Sequence, residues 1–502
     1  MTLSNVLEGV SVAKMFHITS GKMLQTRDVD VRSIQYDSRK VQNGDLFVAI
    51  RGSVVDGHAF IGDAVNLGAK IVVLEDDVAM PDSFFMHEGV VKIVVSSSRR
   101  ALATMSANFY GHPSKQLQLI GVTGTNGKTT TTYLIKSILE AANKHVGLIG
   151  TVEYRIAHEI VSATHTTPES LELNQLLATM VKRGCTAAVM EVSSHSLAMS
   201  RVYGLTFAAA VFSNLTQDHL DFHGSMEEYF KAKKLLFDCL SEEAYAVTNA
   251  DDSYGLRIID STRAIKITYG TKSDADVRAV DCQCTLNRTT FTVVRGDNTQ
   301  SVSSSLTGGF NVTNILAAYT AGIGLGIDEQ QIRTGIKNLE SVSGRFEQIG
   351  SPSGWTAIVD YAHTPDALES CLRAIREILP SKRDSKIITV FGCGGKRDRT
   401  KRPKMGRIAT ELSDITIVTS DNPRSEDPQS IIDEVLTGAV KGKTVYAEVD
   451  RREAILRGLN LAKKGDIVLI AGKGHEKYQV VGETQIPFDD GEEVSRFILK
   501  ES

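Results

Sequence analysis

Short apolar runs, separated by polar turns rich in glycine, recur along this chain at the spacing of alternating strands and helices. In the first hundred residues they run Asp45 to Ile50, Lys70 to Leu74 and Val90 to Val95, with a helical stretch near Phe60 to Leu67. That pattern predicts a small α/β unit. A helix containing Ala101 to Phe109 leads into the linker-like Gly111-His112-Pro113-Ser114. The middle third opens with the buried-strand pattern Leu117 to Val122, then a Gly/Thr loop and an amphipathic helix. Further strands are predicted over Ala187 to Val192, Ala208 to Phe212 and Ala244 to Val247, with a β-rich insertion over 264–305 before a helix from Asn311 to Gly322. The last third repeats the alternation, with strands at Ala357 to Asp360, Lys386 to Phe391, Ile415 to Thr419, Lys443 to Ala447 and Asp466 to Ala471.

Alternation of this kind predicts parallel, doubly wound sheets. The length, 502 residues, predicts about three domains. The expected partition is a small N-terminal α/β domain over 1–100, a central P-loop parallel-sheet domain over 101–342 and a Rossmann-like C-terminal domain over 343–502. Composition narrows the class: 42% apolar and 23% charged residues suit sizeable cores, and a net charge of −4 argues against a duplex-coating or polybasic membrane protein. No apolar run reaches the ~18–20 residues a bilayer needs, and the N-terminus has no secretory pattern. The six cysteines include no CxxC pair and read as reduced thiols. A cytoplasmic enzyme that binds neither nucleic acid nor membrane is expected, acting as a monomer.

Ligands of open parallel sheets sit beyond the carboxyl ends of strands. Seven polar clusters fall there: Gly124 to Thr130, Glu191 to His195, Asn214 to His219, Asp360 to Pro365, Gly392 to Arg397, Ser420 to Arg424 and Gly472 to Glu476. The first is a phosphate loop. A strand runs into Gly124-Thr125-Asn126-Gly127-Lys128-Thr129-Thr130 and a helix starts at the lysine. Backbone N–H groups can cradle phosphates, Lys128 can reach the terminal one and the Thr129 hydroxyl can hold magnesium. The spacing departs from G-x4-G-K-[ST], because Gly121 and Gly124 lie six and three residues before Gly127 rather than five. A nucleotide triphosphate with Mg2+ is the expected ligand.

Glu191, ending a buried strand, needs a cation or donors, and reads either as a magnesium ligand or as a capped carboxylate. His219 is a second candidate. Lys231, Lys233 and Lys234, on a helix starting near Ser225, read by themselves as a solvated face. Lys396, Arg397, Arg399, Lys401, Arg402 and Lys404 form a basic cluster without interleaved aromatics, which fits recognition of small anions better than nucleic acid. Arg424 follows Pro423, whose ring fixes the turn that presents it.

Together, in order and over the whole chain, these motifs resemble the Mur ligases, ATP-dependent amide-forming enzymes of bacterial cell-wall precursor synthesis. The resemblance rests on Asp37-Ser38-Arg39 and Gly44-Asp45-Leu46-Phe47, then TGTNGKTTT, HTTPES, EVSSH, NLTQDHLDFHG and the Tyr229-Phe230-Lys231-Ala232-Lys233 helix. It continues with Gly344-Arg345, DYAHTPDALE, FGCGGKRD, SDNPRSEDP and AGKGHE. It implies that Ser38 and the loop Ser53, Val54 and Val55 hold the UDP end of a UDP-N-acetylmuramoyl-dipeptide. Thr166, Thr167, Ser193 and Arg201 would hold its muramoyl-dipeptide part. Lys233 would be carbamoylated and ligate Mg2+ with Thr129, Glu191 and His219, which reverses its reading as a solvated lysine. Asn314, Arg345, Asp360 and His363 would complete the ATP contacts. His165 and Met199 depart from the polar amides expected near the dipeptide.

Within the family, Asp421-Asn422-Pro423-Arg424 points to meso-diaminopimelate as the incoming amino acid. Its second carboxylate needs a cation, which Arg424 and Arg397 supply, with Gly472 and Glu476 completing the site. An L-lysine-adding ligase is the alternative. A P-loop module without ligation and an NAD dehydrogenase read from Gly392-Cys393-Gly394 are more remote, since position 397 is Arg where G-x-G-x-x-G needs glycine.

Overall fold

The computed structural model describes residues 1–16, 29–52, 55–272, 274–379 and 385–501. The chain divides into two compact units, one of residues 1–121, 144–210 and 232–244, the other of 122–143, 211–231 and 245–502.

In the first unit a five-stranded sheet has the order Val12–Phe16, Val91–Val95, Ile71–Leu74, Leu46–Val48, Ile34–Gln35. All neighbours are parallel except Val12–Phe16, which runs antiparallel to Val91–Val95. The predicted runs form the buried centre because successive side chains enter different cores. Leu46, Val48, Ile71, Val73, Ile93 and Val95 fill one, while Phe47, Ala49, Val72 and Leu74 fill the other. The antiparallel edge strand is mostly exposed, which is why no apolar run announced it. The same unit pairs Val146–Ile149 in parallel with Ala187–Glu191 and carries the hairpin Glu153–Ile156/Glu159–Ser162.

The second unit contains the helix Lys128–Ala141 and the parallel strands Tyr245–Asn249 and Ile265–Gly270. The predicted β-rich insertion is there, as the antiparallel strands Val277–Cys284, Thr289–Arg295 and Asn298–Ser304. The buried helix Gly309–Gly324 follows. Its C-terminal sheet has the order Glu347–Gly350, Thr356–Asp360, Ile467–Ala471, Ile387–Phe391, Ile415–Thr419, Thr444–Glu448, with only the first strand antiparallel. All five predicted strands of the last third are present. The sheets are thus mixed rather than purely parallel, antiparallel pairs having been added at edges and as hairpins. Among the described residues no helix is long and apolar enough to cross a membrane.

Candidate active site

The helix Lys128–Ala141 begins at the residue after Gly127, which has φ +85°. Only glycine fits there: a Cβ would stand 2.2 Å from Asn314 Oδ1. Asn314 itself donates through Nδ2 to Asn311 Oδ1 at 3.0 Å. The loop is pinned from outside, with the Asn126 N–H donating to Asn214 Oδ1 (2.9 Å) and Ser213 Oγ donating to Asn126 O (2.6 Å). Thr125 Oγ1 lies 3.1 Å from the buried Tyr229 hydroxyl. Lys128 Nζ donates to Gly124 O (3.0 Å) and Thr125 O (2.8 Å), so its ammonium lies over its own loop. Thr130 is buried in the first turn.

Two residues from the C-terminal part reach this loop. Arg345 Nη2 donates to Thr129 Oγ1 at 3.1 Å, and Asp366 Oδ2 accepts from Asn126 Nδ2 (2.8 Å) and Thr216 Oγ1 (3.2 Å). The Arg345 guanidinium stacks 4.6 Å from the Tyr361 ring centroid. Asp360 accepts the N–H groups of Phe346 and Ala362, each at 2.7 Å, thereby fixing the turn that carries Arg345. Burial raises the Asp360 carboxyl despite the Arg345 charge and these two donors. Burial and the neighbouring Lys401 cation lower His363 to about 4. Asp218 shows the opposite balance: burial pushes it up, but His219, His363, Lys128 and a backbone N–H bring it below the ordinary carboxylate value. His219 sits in the left-handed region (φ +53°) with Nε2 3.2 Å from Asp218 Oδ2.

In the first unit, Glu191 is buried and has donors of its own. Thr151 N–H reaches Oε1 at 2.8 Å and Thr151 Oγ1 reaches Oε2 at 3.0 Å. Around that strand end, Thr166 Oγ1 lies 3.1 Å from Thr151 Oγ1, and Thr167 Oγ1 donates to Glu191 O at 2.8 Å. Ser193 Oγ accepts from Ser196 N–H at 3.1 Å, and Arg201 Nη1 donates to Thr167 O at 3.0 Å. The four dipeptide candidates therefore form one neighbourhood. His165 engages through its backbone, the Tyr154 hydroxyl donating to its carbonyl at 2.5 Å, and Met199 Sδ lies 3.7 Å from Arg201 Nη2. Lys233 is 1% exposed, which corrects the solvated-face reading for that residue. Lys231 does pair with Glu228 at the surface (2.8 Å). Ser38 lies on a short turn capped by Asp37 and Val55 is exposed, whereas Ser53 and Val54 lie outside the described residues.

The amino-acid candidates assemble on adjoining loops. Gly395 N–H donates to Asn422 O (2.9 Å) while Arg424 Nη1 donates to Gly395 O (2.8 Å). A Cβ on Gly395 would meet Pro423 O at 1.9 Å, so this close approach requires glycine. Asn422 is locked on both sides: Oδ1 accepts from Lys473 Nζ (3.1 Å) and Val480 N–H (2.9 Å), and Nδ2 donates to Glu476 Oε2 (2.8 Å). Lys473, with no exposure at all, also donates to Glu476 Oε2 at 3.0 Å. Gly472 N–H donates to Asp360 O (3.0 Å), joining this group to the nucleotide candidates. Arg397 is exposed, with no ion-pair partner among the described residues. In the rest of the basic cluster Lys396, Arg399 and Lys404 are exposed too, while three members have partners within the chain. Arg402 is buried between Glu426 and Glu434, each 2.9 Å away, Arg399 pairs with Glu434, and Lys401 caps His363 O (2.8 Å). These carboxylates come from the helix Pro428–Leu436 and the turn before it, so local sequence could not reveal them.

Comparison with known proteins fits this arrangement. Residues 30–110 match the family described as "Mur ligase family, catalytic domain", 122–322 the "Mur ligase middle domain" and 344–474 the "Mur ligase, glutamate ligase domain". A protein of Clostridium tetani named UDP-N-acetylmuramoyl-L-alanyl-D-glutamate–2,6-diaminopimelate ligase is 43% identical over 500 residues, 99% of each chain. The chain belongs to the Mur ligase family. A Cytophaga hutchinsonii protein of the same name is 46% identical over 476 residues, covering 94% of this Mur ligase and 95% of its own length. A solved structure with that name aligns at TM-score 0.68 and 33% identity, over 95% of this chain and 96% of the other. A MurF ligase of Thermotoga maritima in complex with ADP shares the fold, at TM-score 0.62 and 21% identity, over 95% and 100% of the two chains.

Sequence reasoning left Asp366, Lys473, Asn214 and Thr216 out of the site. All four stand inside motifs it quoted, but only the folded chain shows what they hold.

Proposed function

We propose that this Mur ligase joins the amino group of meso-2,6-diaminopimelate to the D-glutamate γ-carboxyl of UDP-N-acetylmuramoyl-L-alanyl-D-glutamate while cleaving ATP. The observation that carries this reading is the Asn422–Arg424 turn locked against Lys473 and Glu476. One edge of the Arg424 fork is tied to Gly395 O, while Nε and Nη2 make no hydrogen bond to a described residue. A guanidinium edge of that kind suits a second carboxylate, which diaminopimelate has and lysine lacks.

Residues 1–100 hold the UDP end through Ser38 and the 53–55 loop. Residues 101–342 hold ATP and the muramoyl-dipeptide, and 343–502 the amino acid. The nucleotide lies on residues 124–130, with Asn314, Arg345, Asp360 and His363 around it. The D-glutamate γ-carboxylate attacks the γ-phosphorus and ADP leaves. The amine then attacks the acyl carbon of the resulting acyl phosphate and inorganic phosphate leaves, so no serine or cysteine nucleophile is required. Lys128 and the loop N–H groups offset charge on the phosphoryl oxygens. Thr166, Thr167, Ser193 and Arg201 orient the carboxylate-bearing substrate.

The residues present suit magnesium in donor type: a threonine hydroxyl (Thr129), a carboxylate (Glu191), an imidazole (His219) and Lys233, which becomes an oxygen ligand only as a carbamate. Magnesium is commonly held by one or two carboxylates together with substrate phosphates and retained waters, so few protein ligands suffice. Held by these residues, the ion would supply positive charge to offset that on the phosphoryl oxygens. The enzyme works in the cytoplasm as a monomer, without nucleic-acid or membrane partners.

The test is amine-dependent phosphate release with ATP, Mg2+ and the UDP-dipeptide, comparing meso-diaminopimelate with L-lysine. Strong preference for diaminopimelate, reduced about thirtyfold in kcat/KM by Arg424→Ala, is expected from the loss of ~2 kcal/mol of charged hydrogen bonding. Preference for lysine would keep the ligase and discard the specificity.

A further inference from the structure

We propose that Arg451, paired with Asp490, is a positioning residue that sets the separation between the two loops gripping the amino-acid substrate, a role resting on the reading above that these loops hold it. Both side chains have no exposure, and the pair is bidentate, Nε to Oδ1 at 2.8 Å and Nη2 to Oδ2 at 2.7 Å. Two of the three remaining N–H groups of the guanidinium go to carbonyls, Nη1 to Ser420 O (3.4 Å) and Nη2 to Ala471 O (3.1 Å).

Those carbonyls lie where the substrate loops begin. Ser420 follows the strand Ile415–Thr419 and precedes Asp421–Arg424, while Ala471 ends the strand Ile467–Ala471 and precedes Gly472–Glu476. The two strands are not neighbours, since Ile387–Phe391 runs between them. Their ends are therefore about 10 Å apart, at ~4.8 Å per strand spacing, and no sheet hydrogen bond ties one directly to the other. Arg451 does so with a single rigid group.

Stability alone does not call for this pair. Arg451 opens the helix Arg451–Leu461, where a cation opposes the helix dipole. A buried ion pair also returns no more stability than a well-packed apolar pair. What an apolar pair cannot supply is the pair of donors reaching Ser420 O and Ala471 O. The Arg451 charge also faces Asp421, whose Oδ2 is buried and accepts no hydrogen bond, so the same group offsets a carboxylate at the root of the substrate turn.

The experiment is steady-state kinetics on the full-length enzyme, with KM measured separately for meso-diaminopimelate, ATP and UDP-dipeptide. Three proteins are compared: wild type, Arg451→Lys and the apolar double variant Arg451→Met/Asp490→Leu. The double variant is expected to melt near wild type and to raise KM for diaminopimelate at least tenfold, with the other two KM values within twofold. Arg451→Lys, which keeps the charge but not the fork, should fall between. An unchanged diaminopimelate KM in a folded double variant overturns the proposal, as does an equal rise in all three values. If the double variant does not fold, Arg451→Lys decides: a threefold or larger selective rise supports the role and no change overturns it. Wild-type enzyme silent with both diaminopimelate and lysine overturns the functional reading, and this proposal with it.

Discussion

The carboxylate of Asp366, in the first turn of the helix Pro365–Ile378, accepts the side-chain amide of Asn126 in the phosphate loop at 2.8 Å. Thr216 Oγ1 donates to the same oxygen, and burial raises the carboxyl against these two donors. One oxygen thus fastens the helix Pro365–Ile378 to the glycine-rich loop 124–130 proposed to hold the nucleotide. Asp366→Ala removes both bonds. A loss of roughly tenfold in kcat/KM for the amino acid is expected, about 1.4 kcal/mol, because reacting groups held by separate segments lose their alignment. Phosphate-release kinetics with a melting curve as control check this; full activity would reduce the contact to a feature of the resting enzyme.

Acid should destabilise the enzyme in a window set by His363. Its ring, lowered from 6.5 to about 4 by burial and Lys401, stays neutral in the fold while the unfolded chain takes up the proton. The contribution is fully present above pH ~6.5 and is lost as pH falls toward 4, with a ceiling of roughly 3 kcal/mol from the size of the shift. His363 as a residue is only half-buried, so the observed value should be smaller. Asp218, held low chiefly by His219, His363 and Lys128 against burial, adds loss of the same sign only below the ordinary carboxylate value of 3.8. Urea midpoints at pH 7.0, 5.5 and 4.5 for wild type and His363→Gln isolate the histidine, since the variant should lack that part of the slope.

The sequence showed most of the central strands because their burial on both faces writes continuous apolar runs such as Ile71–Leu74 and Ile467–Ala471, though the buried Val146–Ile149 was missed. It did not show Val12–Phe16 or Glu347–Gly350, edge strands with exposed positions and no such run. The loops holding Lys128 and Arg424 were legible because tight turns at strand ends demand glycine and proline. The burial of Lys233 was not legible from charge, since a lysine at 1% exposure and one on a wet surface are the same letter. The same limit hid Arg402, whose partners Glu426 and Glu434 lie 24 and 32 residues away.

Lys473 offers a sharper test of the amino-acid site than any surface residue of the basic cluster. Its wholly buried ammonium orients the Asn422 amide and neutralises Glu476. In Lys473→Met the Glu476 charge loses its buried cation and Asn422 Oδ1 keeps only the Val480 N–H. Removing one partner of a buried charged pair costs about 3 kcal/mol, so KM for diaminopimelate should rise on the order of a hundredfold. KM for ATP should change little. An equal effect on both substrates would place Lys473 in general stability.

Gly127 tests the nucleotide loop by geometry alone. Alanine there meets two costs, the left-handed φ of +85° and a Cβ 2.2 Å from Asn314 Oδ1. Gly111 meets only the first, having φ +70° with open space where a Cβ would go. Left-handed strain costs each variant ~1–2 kcal/mol of stability. Only Gly127→Ala also displaces Asn314 or the loop, so ATP affinity should fall at least thirtyfold there and stay within twofold in Gly111→Ala. Calorimetric titration of ATP into both variants separates the effects: if both lose affinity equally, strain in the fold is the cause, and the close approach of Gly127 to Asn314 has no special part in holding the nucleotide.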